Sequence, residues 1–313
     1  MSMNQSAQER TGRILSCIGG IYTVLSKSRE IQCYAKGTFR HDGITPLAGD
    51  YVTFCLDQEP DQKRNADGYI KAVHPRKNAL VRPPLANIDR LFLVATLHDP
   101  VYSPLALDKM IVLAVHNRME PILILNKCDL TREPEVQAFF SVYKTVGCPI
   151  FTLSAILPDP EIQENILALT KGVTSAFAGA SGVGKSTIIN ALFPAFDCET
   201  GDLSTKTARG KHTTRQSRLF QLDETSYLAD TPGFTLLDFE RFFFISKEEL
   251  PYSFPEFVPF LGQCKYTKCT HKTEDGCAIL AAIRVGEVSA SRHESYVSLL
   301  SEVSVHKPWE IKK

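Results

Sequence analysis

The nine residues Gly179-Ala180-Ser181-Gly182-Val183-Gly184-Lys185-Ser186-Thr187 have the types and spacing of a phosphate-binding loop. Glycines let backbone N–H groups turn inward around phosphate oxygens, and a helix N-terminus behind them adds a favourable dipole. Lys185 is expected to reach the β- and γ-phosphates, and Ser186 to ligate Mg2+. The blander reading is a glycine-rich turn with a chance lysine. The apolar stretch before the loop and the helix-like text after it argue against that.

A phosphate loop alone does not separate ATP from GTP. Asn126-Lys127-Cys128-Asp129 supplies that distinction. The Asp129 carboxylate can accept both N1–H and N2–H of guanine, a donor pair that adenine lacks. Left unpaired against adenine, it would be a desolvated charge. Asn126 can bond the opposite edge of the base or brace the phosphate loop, and the Lys127 stem can lie on the purine face. Ser154-Ala155 follows as the companion loop over the base.

Asp230-Thr231-Pro232-Gly233 is read as the loop that meets Mg2+ through water at Asp230 and senses the γ-phosphate at the Gly233 N–H. Phe234 follows, where a water-orienting glutamine would serve hydrolysis, and a phenyl ring cannot orient water. The basic segment Leu203–Arg218 offers substitutes. Thr213 or Thr214 is the expected switch ligand for Mg2+, His212 a group to position the water, and Arg209 or Arg215 a positive charge for the transition state. Its bland reading is a solvated cationic loop. The order is also informative: the guanine loop precedes the phosphate loop, the reverse of an ordinary GTPase, so the fold is expected to be circularly permuted.

Cys264-x4-Cys269-x-His271-x5-Cys277 places three thiolates and one imidazole in a short span. That donor set suits a closed tetrahedral Cys3His site, hence one structural Zn2+ rather than a catalytic one. The other cysteines are scattered, and the total of nine is odd. With a polar segment at Met1–Arg13 instead of a signal-like apolar run, this leads to an expectation of reduced thiols in a cytoplasmic protein with no membrane role.

Each site needs elements to hold it. Between Thr11 and His74, Arg13–Cys17, Ile21–Leu25, Ile31–Ala35, Asp50–Leu56 and Tyr69–Val73 read as five short strands with turn signals at Gly19-Gly20, Asp42-Gly43 and Asp67-Gly68. They fit a small closed barrel, an oligonucleotide-binding (OB) fold or an SH3-like one. From Pro83-Pro84 the text alternates strand and helix. Strands at Leu91–Leu97, Pro121–Leu125, Pro149–Leu153 and Val173–Ala178 predict a mostly parallel sheet covered by helices. Beyond Glu240 the pattern is irregular, ending in a helical tail from about Ala278. The chain is therefore expected to be multidomain, with a β-barrel over 1–75, an α/β GTPase domain over 76–245 and a mainly helical zinc-binding domain over 246–313. Net charge is zero, so contact with a polyanion must come from local patches such as Leu203–Arg218.

The ordered set of motifs resembles the ribosome small-subunit-dependent GTPase family of bacterial circularly permuted GTPases. The segments Arg209-Gly-Lys-His-Thr-Thr214 and Arg76-Lys-Asn-Ala-Leu-Val-Arg-Pro-Pro84 share the likeness, as do the cysteine spacing and Phe234 in place of glutamine. The resemblance implies an N-terminal OB barrel, His212 as water-positioning group, a partner in the small (30S) ribosomal subunit with its 16S rRNA, and hydrolysis of GTP to GDP stimulated by that subunit. A monomer is expected. Two rivals stand beside it: a GTP-gated rRNA-binding module whose hydrolysis is incidental, and a phosphoryl-transfer enzyme using ATP, against which Asp129 argues.

Overall fold

The computed structural model describes residues 8–36, 39, 44–61, 65–80, 83–194, 217–230 and 245–305. The described residues fall into two compact units, one drawn from 1–89, 170–176 and 207–232, the other from 90–169, 177–206 and 233–313.

In the first unit, strands β1 (Glu9–Ile18), β2 (Ile21–Ser26), β3 (Arg29–Ala35), β4 (Tyr51–Asp61) and β5 (Ala66–Val73) close in the order β1-β2-β3-β5-β4-β1. Only the β3–β5 pairing is parallel. This five-stranded closure is the OB barrel. Alternating residues face inward, and Ile14, Tyr22, Val24, Cys33, Phe39, Val52, Phe54 and Ile70 form the core. Gly19 and Gly20 take positive φ in the two-residue β1–β2 turn, as the twist of a hairpin requires. Lys27 and Ser28 do the same between β2 and β3 without glycine.

A short hairpin, β6 (Ala79–Leu80) with β7 (Leu85–Ala86), follows the barrel. Arg76 holds buried Asp50 through both carboxylate oxygens at 2.7 Å. The backbone of Ile88 is locked by the Asn78 side-chain amide, which donates to Ile88 O at 2.7 Å and accepts from Ile88 N at 3.0 Å. The rest of this unit comprises the start of β11 (Thr174–Ala178), β12 (Arg218–Gln221) and β13 (Tyr227–Asp230). β11 and β13 are parallel, β12 runs antiparallel to β13, and β12 meets barrel strand β1 at Ser16↔Arg218. Asp223 turns the β12–β13 hairpin by accepting from Thr225 N and Ser226 N, both at 2.8 Å. β12 did not stand out in the basic segment because four residues carry no period.

The second unit holds the parallel strands β8 (Arg90–Thr96), β9 (Glu120–Asn126) and β10 (Ile150–Thr152). Leu91–Ala95 and Ile122–Leu125 are buried throughout, which is why they read as unbroken apolar runs. Helix α1 (Pro104–His116) starts at an Ser103 N-cap with proline in its first turn, and α3 (Pro160–Ala168) starts at Asp159, which accepts from Glu161 N at 2.9 Å. Helices α2 (Glu133–Tyr143) and α4 (Lys185–Leu192) complete the central set. The helical tail is two helices, α5 (Ala278–Arg284) and α6 (Ala290–Val305), separated at Gly286, whose φ is 79°. Their core of Leu250, Phe254, Phe257, Ile279, Tyr296 and Leu299 also takes in Val112 of α1.

Candidate functional site

The loop between β11 and α4 carries the phosphate-loop residues, and three of its glycines sit where a side chain is excluded. Gly179, Gly182 and Gly184 have φ of 152°, 81° and 92°. A Cβ on Gly179 would lie 2.4 Å from Val94 O, and one on Gly184 would lie 2.4 Å from Asn126 Nδ2. The second contact matters most, because Asn126, at the end of β9, opens the segment expected to read guanine.

Asn126 is 1% exposed and uses both ends of its amide. Nδ2 donates to Val183 O at 2.8 Å, and Oδ1 accepts from Ala155 N at 3.1 Å. One side chain thus joins three segments predicted to surround a guanine nucleotide: Asn126-Lys127-Cys128-Asp129, Ser154-Ala155 and Gly179–Thr187. Of the two roles open to Asn126, bracing is the one seen. Lys127 follows in the left-handed region at φ 60°, with its ammonium on the Asp99 carbonyl. Cys128 N donates to Leu153 O at 3.2 Å, and Asp129 is exposed at the loop surface.

Lys185 Nζ donates to the carbonyls of Gly179 at 2.9 Å and Ala180 at 2.8 Å, folded over its own loop. Burial without a compensating anion lowers its pKa to about 8. The two carbonyls solvate the ammonium without offsetting the desolvation of its charge. Ser186 and Thr187 lie in the first turn of α4, and Ser181 and Gly182 are exposed at the loop's crest. The hydroxyl of Ser186 is a hard oxygen donor of the kind Mg2+ takes.

His212, Thr213, Thr214 and 231–234 lie outside the described residues, as do Arg209 and Arg215. The backbone of Asp230 ends β13; its side chain is likewise outside them.

The cysteine–histidine group is brought together. Cys264 Sγ and Cys277 Sγ each lie 3.5 Å from His271 Nδ1 and 4.0 Å from one another, and all four donor atoms, Cys269 included, lie within 4.8 Å. A tetrahedral site with metal–sulfur bonds of about 2.3 Å and metal–nitrogen bonds of about 2.0 Å spaces its donors by roughly 3.5–3.8 Å. The donor set fits Zn2+. Its surroundings are fixed: His293 Nε2 donates to His271 O at 2.7 Å, Tyr296 OH to Thr270 O at 2.9 Å, and Ala278 N to Cys264 Sγ at 3.4 Å. Glu274 accepts from the backbone of Thr270, Lys272 and Thr273, tying the ligand loop to itself.

Sequence reasoning missed a buried ionic group beside this region. Arg292 on α6 reaches Asp108 of α1 at 2.8 Å and Glu256 at 2.6 Å, with all three side chains at most 1% exposed. Nothing in the sequence marks one arginine among many as buried; only the packing of α6 does.

A family model described as the RsgA GTPase matches residues 73–240, and one described as the RsgA N-terminal domain matches 11–70. The small ribosomal subunit biogenesis GTPase RsgA of Caldanaerobacter subterraneus is 40% identical over 93% of this chain and 95% of its own length. The protein of the same description from a Geobacillus species is 38% identical over 95% and 98%. Among solved structures, YjeQ from Thermotoga maritima superposes with a TM-score of 0.78 at 32% identity, covering 96% of this chain and all of that one. YloQ, described as a circularly permuted GTPase, gives 0.75 at 31% identity over 98% and 99%. With Asn126–Asp129 ahead of Gly179–Thr187 and family matches over 11–70 and 73–240, the chain belongs to the RsgA GTPase family.

Proposed function

We propose that this chain hydrolyses GTP to GDP and phosphate in the biogenesis of the small ribosomal subunit, binding the 30S particle and its 16S rRNA and being stimulated by it. The observation that carries this reading is the Asn126 bridge, which makes base recognition and phosphate binding one assembly. The relatives named above, similar over nearly the whole chain, supply the partner.

Asp129 reads the guanine edge, Lys127 covers its face, and Ser154-Ala155 closes over it, while Gly179–Thr187 wraps the phosphates. Lys185 leaves the Gly179 and Ala180 carbonyls for the β- and γ-phosphates, where its charge is stabilised. Ser186, Asp230 and one of Thr213 and Thr214 would hold Mg2+, which would supply charge neutralisation at the phosphates. Phe234 leaves the attacking water without a glutamine, so His212 positions it, and the bound small subunit stimulates that step. Cys264, Cys269, His271 and Cys277 hold one structural Zn2+ that fixes the C-terminal loop. The protein works as a cytoplasmic monomer, away from membranes; no helix among the described residues is long and apolar enough to cross one.

GTP turnover measured alone, with purified 30S subunits and with 50S subunits tests the reading. Strong stimulation by 30S only is expected. GTP-dependent binding without stimulation would instead favour the gated rRNA-binding module.

A further inference from the structure

Barrel strand β1 does more than close the barrel. Arg13, in its middle, is 4% exposed, and its guanidinium lies 4.9 Å from the ring of Tyr51 and 4.2 Å from the ring of Tyr227. Nη2 donates to Thr174 Oγ1 at 2.6 Å and to Asn87 O at 3.5 Å, and Nε donates to Gly49 O at 3.3 Å. Tyr51 is its registered neighbour on β4, and Thr174 and Tyr227 are registered neighbours of each other on β11 and β13. One planar cation therefore spans a barrel pair and a GTPase-strand pair. Arginine alone has the flat, multidentate head for this; lysine has a point charge.

The two strands it grips are the ones that run directly into the phosphate loop at Gly179 and the Asp230 loop. Among the described residues β1 also meets β12, at the registered pair Ser16↔Arg218. Beside it a cleft of about 580 Å³ separates Thr11, Leu25 and Lys27 on the barrel side from Gln221, Glu224 and Tyr227 on the hairpin side. Arg13 therefore joins barrel strand β1 directly to β11 and β13, beside the Asp89–Thr174 hydrogen bonds that tie the chain after the barrel to β11.

We infer that Arg13, with Thr174 and Tyr227, is a positioning group that couples the barrel to β11 and β13, the strands that lead to Gly179 and Asp230, so that a partner held by the barrel alters GTP hydrolysis. The coupling to the small subunit rests on the function proposed above. Arg13→Lys and Thr174→Val each break the link, and Thr174→Ser keeps its oxygen.

The experiment measures kcat and KM for GTP in the full chain with and without 30S subunits, together with subunit affinity. Stimulated kcat is expected to fall at least fivefold in Arg13→Lys and Thr174→Val. Basal kcat, KM and subunit affinity should stay within twofold, and Thr174→Ser should match the unaltered chain. Parallel loss of basal and stimulated turnover, or undiminished stimulation, would overturn the inference. If the unaltered chain is not stimulated at all, the proposed function fails, and amide exchange of residues 9–18 decides the coupling separately. GDP and a non-hydrolysable GTP analogue should protect β1 differently in the unaltered chain and alike in Thr174→Val. No difference in the unaltered chain, or the same difference in both, sinks it.

Discussion

Asn126 and Val183, 57 positions apart in the chain, are joined by a 2.8 Å hydrogen bond between a buried side-chain amide and a phosphate-loop carbonyl. The permuted order places the guanine loop first, yet the bond is made across the same loops that any GTPase must bring together. A parallel sheet keeps its loops at the strand carboxyl ends wherever the chain is cut.

Asn126→Ala would strand both the Val183 carbonyl and the Ala155 N–H. An unsatisfied buried polar group costs about 1–3 kcal/mol, so GDP binding should weaken on the order of 10–100-fold. Titration with a fluorescent GDP analogue reads this directly, and an unchanged Kd would mean that the bridge does not organise the site.

Lys185 gives a pH dependence whose sign is fixed by its environment. In the empty loop its pKa is about 8, and a bound phosphate raises it. Below pH 8 the ammonium is charged in both states, so affinity is flat. Above it the empty loop has lost a proton that binding must restore, so GDP affinity falls with rising pH by up to about tenfold per unit. Calorimetry from pH 7 to 9 with no added Mg2+, in buffers of differing ionisation enthalpy, should detect the accompanying proton uptake.

Metal analysis of the purified chain should return one Zn2+ per molecule. Cys269→Ser should lower that occupancy and reduce thermal stability, because binding energy at a structural zinc is folding energy. GDP affinity should be nearly unchanged, since none of the four ligands lies in the nucleotide loops. Loss of zinc with no effect on melting would refute a structural role.

Arg292→Met removes the partner of two buried carboxylates, Asp108 and Glu256. Breaking such a group costs about 3–5 kcal/mol, whereas replacing all its members by apolar residues can be close to neutral. Urea unfolding should therefore show a large loss for the single variant and a recovery when Asp108 and Glu256 become leucine as well.

Much of the central fold was legible because its strands are buried on both faces and its helices carry caps. Ser103-Pro104 and the apolar runs at Leu91 and Pro121–Leu125 each announce an element by local chemistry. The clustering of Cys264, Cys269, His271 and Cys277 was legible for the same reason, since a local spacing defines it. What escaped was decided by tertiary contact. The Lys27-Ser28 turn has the backbone of a glycine turn without its residues. The tail divides at Gly286, which reads as an ordinary interior glycine until φ is known. Nothing local in the text marks Arg13 or Arg292 as buried, because the carboxylates, rings and carbonyls that meet them come from distant positions.

The β1–β12 pairing has a consequence for dissecting this protein. Cutting away the barrel removes the strand beside β12 and uncovers a backbone edge with open N–H and C=O groups, a template for pairing with other chains. It also leaves Thr174 and Tyr227 without the arginine that fills the space between them. A chain shortened to its GTPase portion would be a sheet with a raw margin, prone to self-association. Lost activity in it would report the wound as much as the missing domain.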